Sequence, residues 1–169
     1  MEALVTADTH WDEPTDSLDG YVGSADVVVH AGDFVSRGAL EHLRTMSDEL
    51  HAVRGNADVP AVEAELPARR RLEVGGVSLG VVHGHLRNGD SLVYLGLELD
   101  VDLLVHGHTH RPRYREGDVD VLSPGSPTRP RGSPPSVARL RFSDGGYDGE
   151  FVDVSRDAAF GSFGPGGGT

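Results

Sequence analysis

Five short apolar runs in this chain each end in a polar signature, and this repeated junction limits the fold more than any other feature. The signatures are Asp8-Thr9-His10, Gly32-Asp33, Gly55-Asn56, His83-Gly84-His85 and Gly107-His108-Thr109-His110. Short apolar runs bounded by turn residues read as buried strands. Polar residues at the carboxyl ends of such strands are where α/β sheets present their sites. Residues 2–7, 26–31 and 50–54 are the first three strands. Helices are predicted between them, over 14–23 with a cap near Thr15 or Asp16, and from a Ser36 cap to about Met46. This β-α-β-α-β order predicts a parallel sheet with right-handed crossovers.

The second half is richer in strands. Gly75-Gly76, between residues 70–75 and 77–82, marks a hairpin. Residues 90–99 place Leu92, Leu95 and Leu99 on one helix face, and residues 102–106 read as a further strand. More strands are expected at 112–116 and 119–122 around Gly117-Asp118, and at 136–142 and 149–154 around Asp144-Gly145-Gly146. Residues 1–156 read as one domain. The Gly-rich residues 157–169 are expected to form a disordered tail.

Composition narrows the function classes. All 15 basic residues are Arg, against 27 acidic residues, and the net charge is −12. Such a surface argues against a stable nucleic-acid complex, which needs a basic footprint. With Lys absent and only 37% hydrophobic residues, it points to a halophilic protein whose acidic surface is screened by salt. There is no Cys, so no disulfide framework or thiolate site. No apolar run approaches the ~20 residues needed to span a membrane. A cytoplasmic location is the expectation.

Asp8, His10, Asp33, Asn56, His83, His108 and His110 are carboxylate, amide or imidazole donors. Seven such donors are too many for one metal ion and suit two. Asp8 and His10 lie two apart, as do His108 and His110. Residues so spaced in extended chain face the same side, so each pair is expected to point into one cavity. The neighbouring glycines at 32, 55, 84 and 107 allow sharp turns and close backbone approach.

In this order, D-x-H, G-D, G-N, H-G and G-H-x-H resemble the calcineurin-like metallophosphoesterase superfamily. Within it the chain is similar to the small archaeal and bacterial phosphodiesterase group. That group adds a segment matched by Ser123-Pro124-Gly125-Ser126, followed here by Arg129 and Arg131. The resemblance covers about residues 2–154. It implies an α/β (α+β) fold, a four-layer αββα sandwich of two mixed β-sheets flanked by helices. It implies that Asp8, His10 and His110 hold one metal ion, that Asn56, His83 and His108 hold a second, and that Asp33 bridges them. It also implies a dinuclear-metal phosphodiesterase, in which a metal-bridging hydroxide attacks a small phosphate ester. Asp33, Asn56, His83 and His85 are its catalytic candidates. The ions are expected to be Mn²⁺, with Ni²⁺, Fe²⁺ or Zn²⁺ suited to the same mixed N/O ligation. A homodimer is expected by the same likeness.

Two departures from the superfamily pattern bear on the chemistry. Its proton-donating His after the G-N pair is replaced by Ala57. That points to a preference for good leaving groups, or to His85 as a substitute acid. Trp11 stands where the family commonly has Gly, placed either to stack on a substrate or to pack against neighbouring loops. His30 and His106 read as structural. The alternative function is a non-catalytic or weakly catalytic protein-docking scaffold of the same fold, which would tolerate loss of ligands that this chain retains.

Overall fold

Consecutive residues of the first strand are buried on opposite faces, Val5 toward one apolar cluster and Leu4 toward another. A strand covered on both sides must be apolar throughout, which is why these runs do not alternate with polar residues. The computed structural model describes residues 1–167 of the 169. In chain order the elements are β1 (Glu2–Thr6), α1 (Asp19–Ser24), β2 (Val27–His30), α2 (Arg37–Met46), β3 (Leu50–Ala52), α3 (Pro60–Glu63), β4 (Arg69–Val74) and β5 (Val77–Val82). They continue with α4 (Gly89–Leu99), β6 (Leu103–His106), β7 (Pro112–Arg115), β8 (Asp120–Pro124), β9 (Ser136–Ser143), β10 (Gly146–Asp153) and β11 (Ala158–Phe163).

The strands form two mixed sheets, ordered β11-β10-β9-β1-β2-β3 and β4-β5-β6-β8-β7. β1, β2 and β3 run parallel, as the β-α-β-α-β order requires, and β5, β6 and β8 are the parallel centre of the second sheet. The main core lies between the sheets, with Val5, Val29 and Ala31 facing Leu79, Val81, Leu103 and Val105. Leu40, Leu43 and Val22 cover the outer face of the first sheet, and Leu92 and Leu95 cover that of the second. The result is the expected αββα sandwich. Tyr147 on β10 and Tyr114 on β7 both donate to the Asp120 carboxylate, at 2.5 and 2.7 Å, and so tie one sheet to the other. No helix among the described residues is long and apolar enough to cross a membrane.

The Ser36 cap forms as expected, its hydroxyl accepting from the Ala39 N–H at 3.1 Å. Two expectations need correction, and one element goes beyond them. The first helix starts at Asp19 with no side-chain cap, because the Thr15 hydroxyl is bonded to Ser17 in a local turn. The short helix α3 has no counterpart in the sequence pattern. The expected tail is largely structured: Ala158–Phe163 form β11, paired antiparallel to β10. Phe163 drives this, lying so close over Gly149 that any side chain there would collide with it. It also stacks on Tyr114 at 4.9 Å and packs against Phe151 at 4.7 Å. The domain therefore extends past residue 156. The tail expected at residues 168–169 lies outside the described residues.

Candidate metal centre

The loops after β1, β2, β3, β5 and β6 converge at one end of the sandwich. Two tight groups of donors result: Asp8, His10 and His110, and Asp8, Asp33 and His83. Asp33 Oδ2 lies 3.5 Å from His10 Nε2 and 3.3 Å from His83 Nε2, so it stands between the groups. Asp8 Oδ1 lies 3.4 Å from His110 Nε2 and 3.9 Å from both His10 and His83. Asn56 Oδ1 is 2.9 Å from His83 Nε2. His108 stands at the edge, its ring centroid 5.3 Å from that of His83. His10, Asp33, Asn56, His108 and His110 line one cleft, and the buried Asp8 and His83 stand against them.

The loops achieve this in a way that strand alternation does not explain. Asp8, His10, Asp33, His108 and His110 have φ of 54°, 44°, 63°, 69° and 57°, in the left-handed region. Neither Asp8–His10 nor His108–His110 is extended, so the two-residue spacing works through tight turns. Non-glycine residues are uncommon there, and they cluster where the surroundings over-determine the backbone. The glycines do serve close approach: any side chain at Gly55 would strike the Asp33 carboxylate.

The imidazoles are oriented from behind. His83 Nδ1 donates to the Ala31 carbonyl at 2.8 Å, and His110 Nδ1 to the Arg129 carbonyl at 2.7 Å. In the neutral rings both Nε2 atoms then carry a lone pair aimed into the cleft, the arrangement that a metal ligand requires. His83 Nε2 meets Asn56 and Asp33 oxygens, contacts that either a proton on that nitrogen or a cation satisfies. Asp8 Oδ1 and His10 Nε2 are buried without any hydrogen-bond partner among the described residues. Such orphans are costly unless a cation supplies the missing contact. The donor set therefore fits divalent ions.

The electrostatics agree. Burial pushes Asp8 up to about 7, opposed by His83 and reinforced by the charge of Asp33. Burial also resists the charge on Asp33, but the hydrogen bond and charge of His83 hold it at about 2. For His83, burial is outweighed by the hydrogen bond and charge of Asp33, so its pKa is raised. A proton on His83 takes the place of a cation. His10, His108 and His110 are all lowered, chiefly by burial, and stay neutral as ligands must.

Two supporting residues, Asp58 and Thr128, escaped sequence reading. The buried Asp58 carboxylate accepts from the N–H groups of Asp33 at 3.2 Å, Val35 at 2.7 Å and Gly55 at 2.7 Å. It joins two donor loops through contacts that are mostly non-local. The Ser123–Ser126 segment has a similar use: Ser126 Oγ donates to the Asp8 carbonyl at 2.7 Å, and Thr128 Oγ1 to that of Thr9 at 2.8 Å. His30 is fully buried, held at about 3 mainly by burial, and stacked on Phe34. Its Nδ1 accepts from the Gly32 N–H, leaving Nε2 to donate to Thr9.

Other candidates fall in different places. Trp11 is not available for stacking: it is 4% exposed, packed with Leu18 and Phe34. His106 bonds the Gly107 carbonyl and belongs to neither donor group. His85 is exposed, its ring 5.6 Å from that of His83. Ala57, Arg129 and Arg131 line the cleft alongside the donors.

Comparison with known proteins places this arrangement. The profile of the calcineurin-like phosphoesterase superfamily domain matches residues 1–145. A probable metallophosphoesterase of Methanothermobacter thermautotrophicus is 38% identical over 156 residues, 88% of this chain and 90% of that protein. A predicted phosphoesterase of Streptococcus pneumoniae has a TM-score of 0.77 at 28% identity, covering 96% of this chain and 97% of that one. Vps29 of Entamoeba histolytica, solved with Zn²⁺, has a TM-score of 0.80 over 97% of this chain and 99% of its own. At 23% identity, that last likeness speaks for the fold alone. The match over most of the chain and the close archaeal relative show that this protein belongs to the calcineurin-like phosphoesterase superfamily.

Proposed function

We propose that this protein is a phosphodiesterase dependent on two divalent ions. Asp8, His10 and His110 would hold one ion, and Asn56, His83 and His108 the other, with Asp33 between them. The observation that supports this most is the set of buried lone pairs facing one another, above all Asp8 Oδ1 and His10 Nε2. Ions bound there supply positive charge to phosphate oxygens and lower the pKa of a bound water. The chain's own residues do the rest. Ala31 and Arg129 carbonyls fix two of the imidazoles, and Asp58 holds the Asp33 and Gly55 loops in register. Arg129 and Arg131 offer guanidinium donors to phosphate oxygens at the rim. Ala57 cannot protonate a departing oxygen, which favours esters with good leaving groups; His85, exposed beside His83, is the alternative acid.

The test is metal content and turnover on one sample. The chain should bind about two ions, hydrolyse bis(p-nitrophenyl) phosphate faster than p-nitrophenyl phosphate, and lose activity to a chelator. Mn²⁺ should restore it. Full activity in metal-free protein refutes the proposal. Ion binding without turnover of any ester would favour the docking-scaffold alternative.

A further inference from the structure

One cavity of about 460 Å³ concentrates arginine in an otherwise acidic chain. Arg111, Arg113 and Arg115 alternate along β7 and its approach, so they leave the same face, while Tyr114 between them packs toward the core. Arg87 and Arg131 enter from two other loops. No acidic residue lines the cavity. Arg37, Arg44, Arg69, Arg71, Arg139, Arg141 and Arg156 all sit in ion pairs, yet none of the five cavity arginines does among the described residues. Arg115 is oriented by the Gly89 carbonyl at 3.1 Å. The guanidinium groups of Arg111, Arg113 and Arg131 have no partner at all among the described residues.

Like charges crowded together repel, and a chain with 27 acids has ample means to neutralise them. Leaving them unpaired in a concave space makes a receptor for an anion from outside. The cavity adjoins the metal cleft, because His108 and Arg131 border both. Its floor is apolar, from Leu92 and Val121, and its volume suits an organic group the size of a nucleoside.

We propose that this cavity binds the part of the substrate beyond the scissile phosphate, and that the substrate is a nucleotide-sized phosphodiester carrying a further phosphate. Several planar guanidinium forks match a dianionic phosphate better than any neutral group. This inference rests on the phosphodiesterase reading for the chemistry, but not for the binding.

Two probes separate them. The first pair is thymidine 5′-(p-nitrophenyl phosphate) with and without a 3′-phosphate. At fixed ionic strength, kcat/KM should favour the 3′-phosphorylated ester by about tenfold. Arg113→Gln and, separately, Arg115→Gln should bring the ratio toward one, whereas Arg156→Gln, outside the cavity lining and paired with Asp153, should leave it unchanged. The second pair is thymidine 3′,5′-bisphosphate and thymidine 5′-phosphate, titrated by calorimetry into chelated protein. The bisphosphate should bind about tenfold more tightly, and Arg113→Gln should remove that advantage. A ratio near one together with equal affinities overturns the subsite and leaves the phosphodiesterase reading standing. Preferential binding of the bisphosphate without cleavage of either ester supports the subsite and refutes the phosphodiesterase.

Discussion

Asp8→Asn should weaken binding at one of the two proposed ion sites and yet make the metal-free protein more stable. Asp8 is fully buried, its Oδ1 has no partner, and Asp33 adds a second negative charge nearby. Its pKa rises from 3.8 to about 7. The folded protein therefore holds this proton more tightly than the unfolded chain does. The stability linked to the neutral form is complete below the unfolded pKa and is lost as pH rises through about 7. The shift corresponds to a ceiling of about 4 kcal/mol. The substituted amide would be neutral at every pH and would keep that stability. Its geometry also suits the site. The amide oxygen would still accept from the His108 N–H, now 2.9 Å from Asp8 Oδ2. The amide nitrogen would take the Oδ1 position, 3.4 Å from His110 Nε2, whose lone pair is free to accept. Urea denaturation in chelator, at several pH values between about 4 and 8, measures the difference. The variant should match wild type near the acid end and exceed it increasingly toward pH 8. Added Mn²⁺ should stabilise the wild type more than the variant. A variant less stable than wild type at pH 8, or a gap that ignores pH, refutes the reasoning.

Asp58→Ala should cost about 3 kcal/mol or more in urea denaturation, because three backbone N–H groups lose a charged acceptor; a loss under about 1 kcal/mol would show that they find other partners. Wild type should cleave aryl diesters far better than alkyl ones, since general acid help is worth about 10²–10⁴-fold and grows with poor leaving groups. Ala57→His, facing the cleft, should narrow that gap; equal rates in wild type would instead identify an existing acid, to be sought by His85→Ala. The melting temperature should rise from dilute buffer to molar KCl as screening relieves repulsion among the acidic residues, and a flat response would refute adaptation to salt.

That the candidate donors converge was legible because each follows an apolar run that could only be a covered strand, and because their types suit hard or borderline ions. The reason why Asp8 and His10 face one cavity was not legible. Strand alternation predicts the right direction for the wrong cause, since left-handed torsions at non-glycine residues leave no compositional trace. Ser36 could be read as a cap because its bond is local. Asp58 could not be read so fully, since two of its three N–H partners lie more than twenty residues away. β11 was hidden for the same reason: Ala158 to Phe163 looks like a loose tail until Gly149 and Tyr114 are placed beneath Phe163. Trp11 was ambiguous because a lone aromatic beside a donor reads equally as lid or as packing.

The left-handed turns at five donors have a consequence for how ions enter and leave. Each such residue holds its torsion at a cost of about 1 kcal/mol or more, so the surrounding sandwich must impose the shape. Asp58, Ser126 and Thr128 do this through backbone hydrogen bonds that involve no ion. The site is thus a stiff socket, unlike small metal domains that are unfolded until loaded. Chelation should leave the tertiary circular dichroism unchanged. Loading should be first order in ion, at a rate set by how fast each ion sheds water rather than by any ordering of loops.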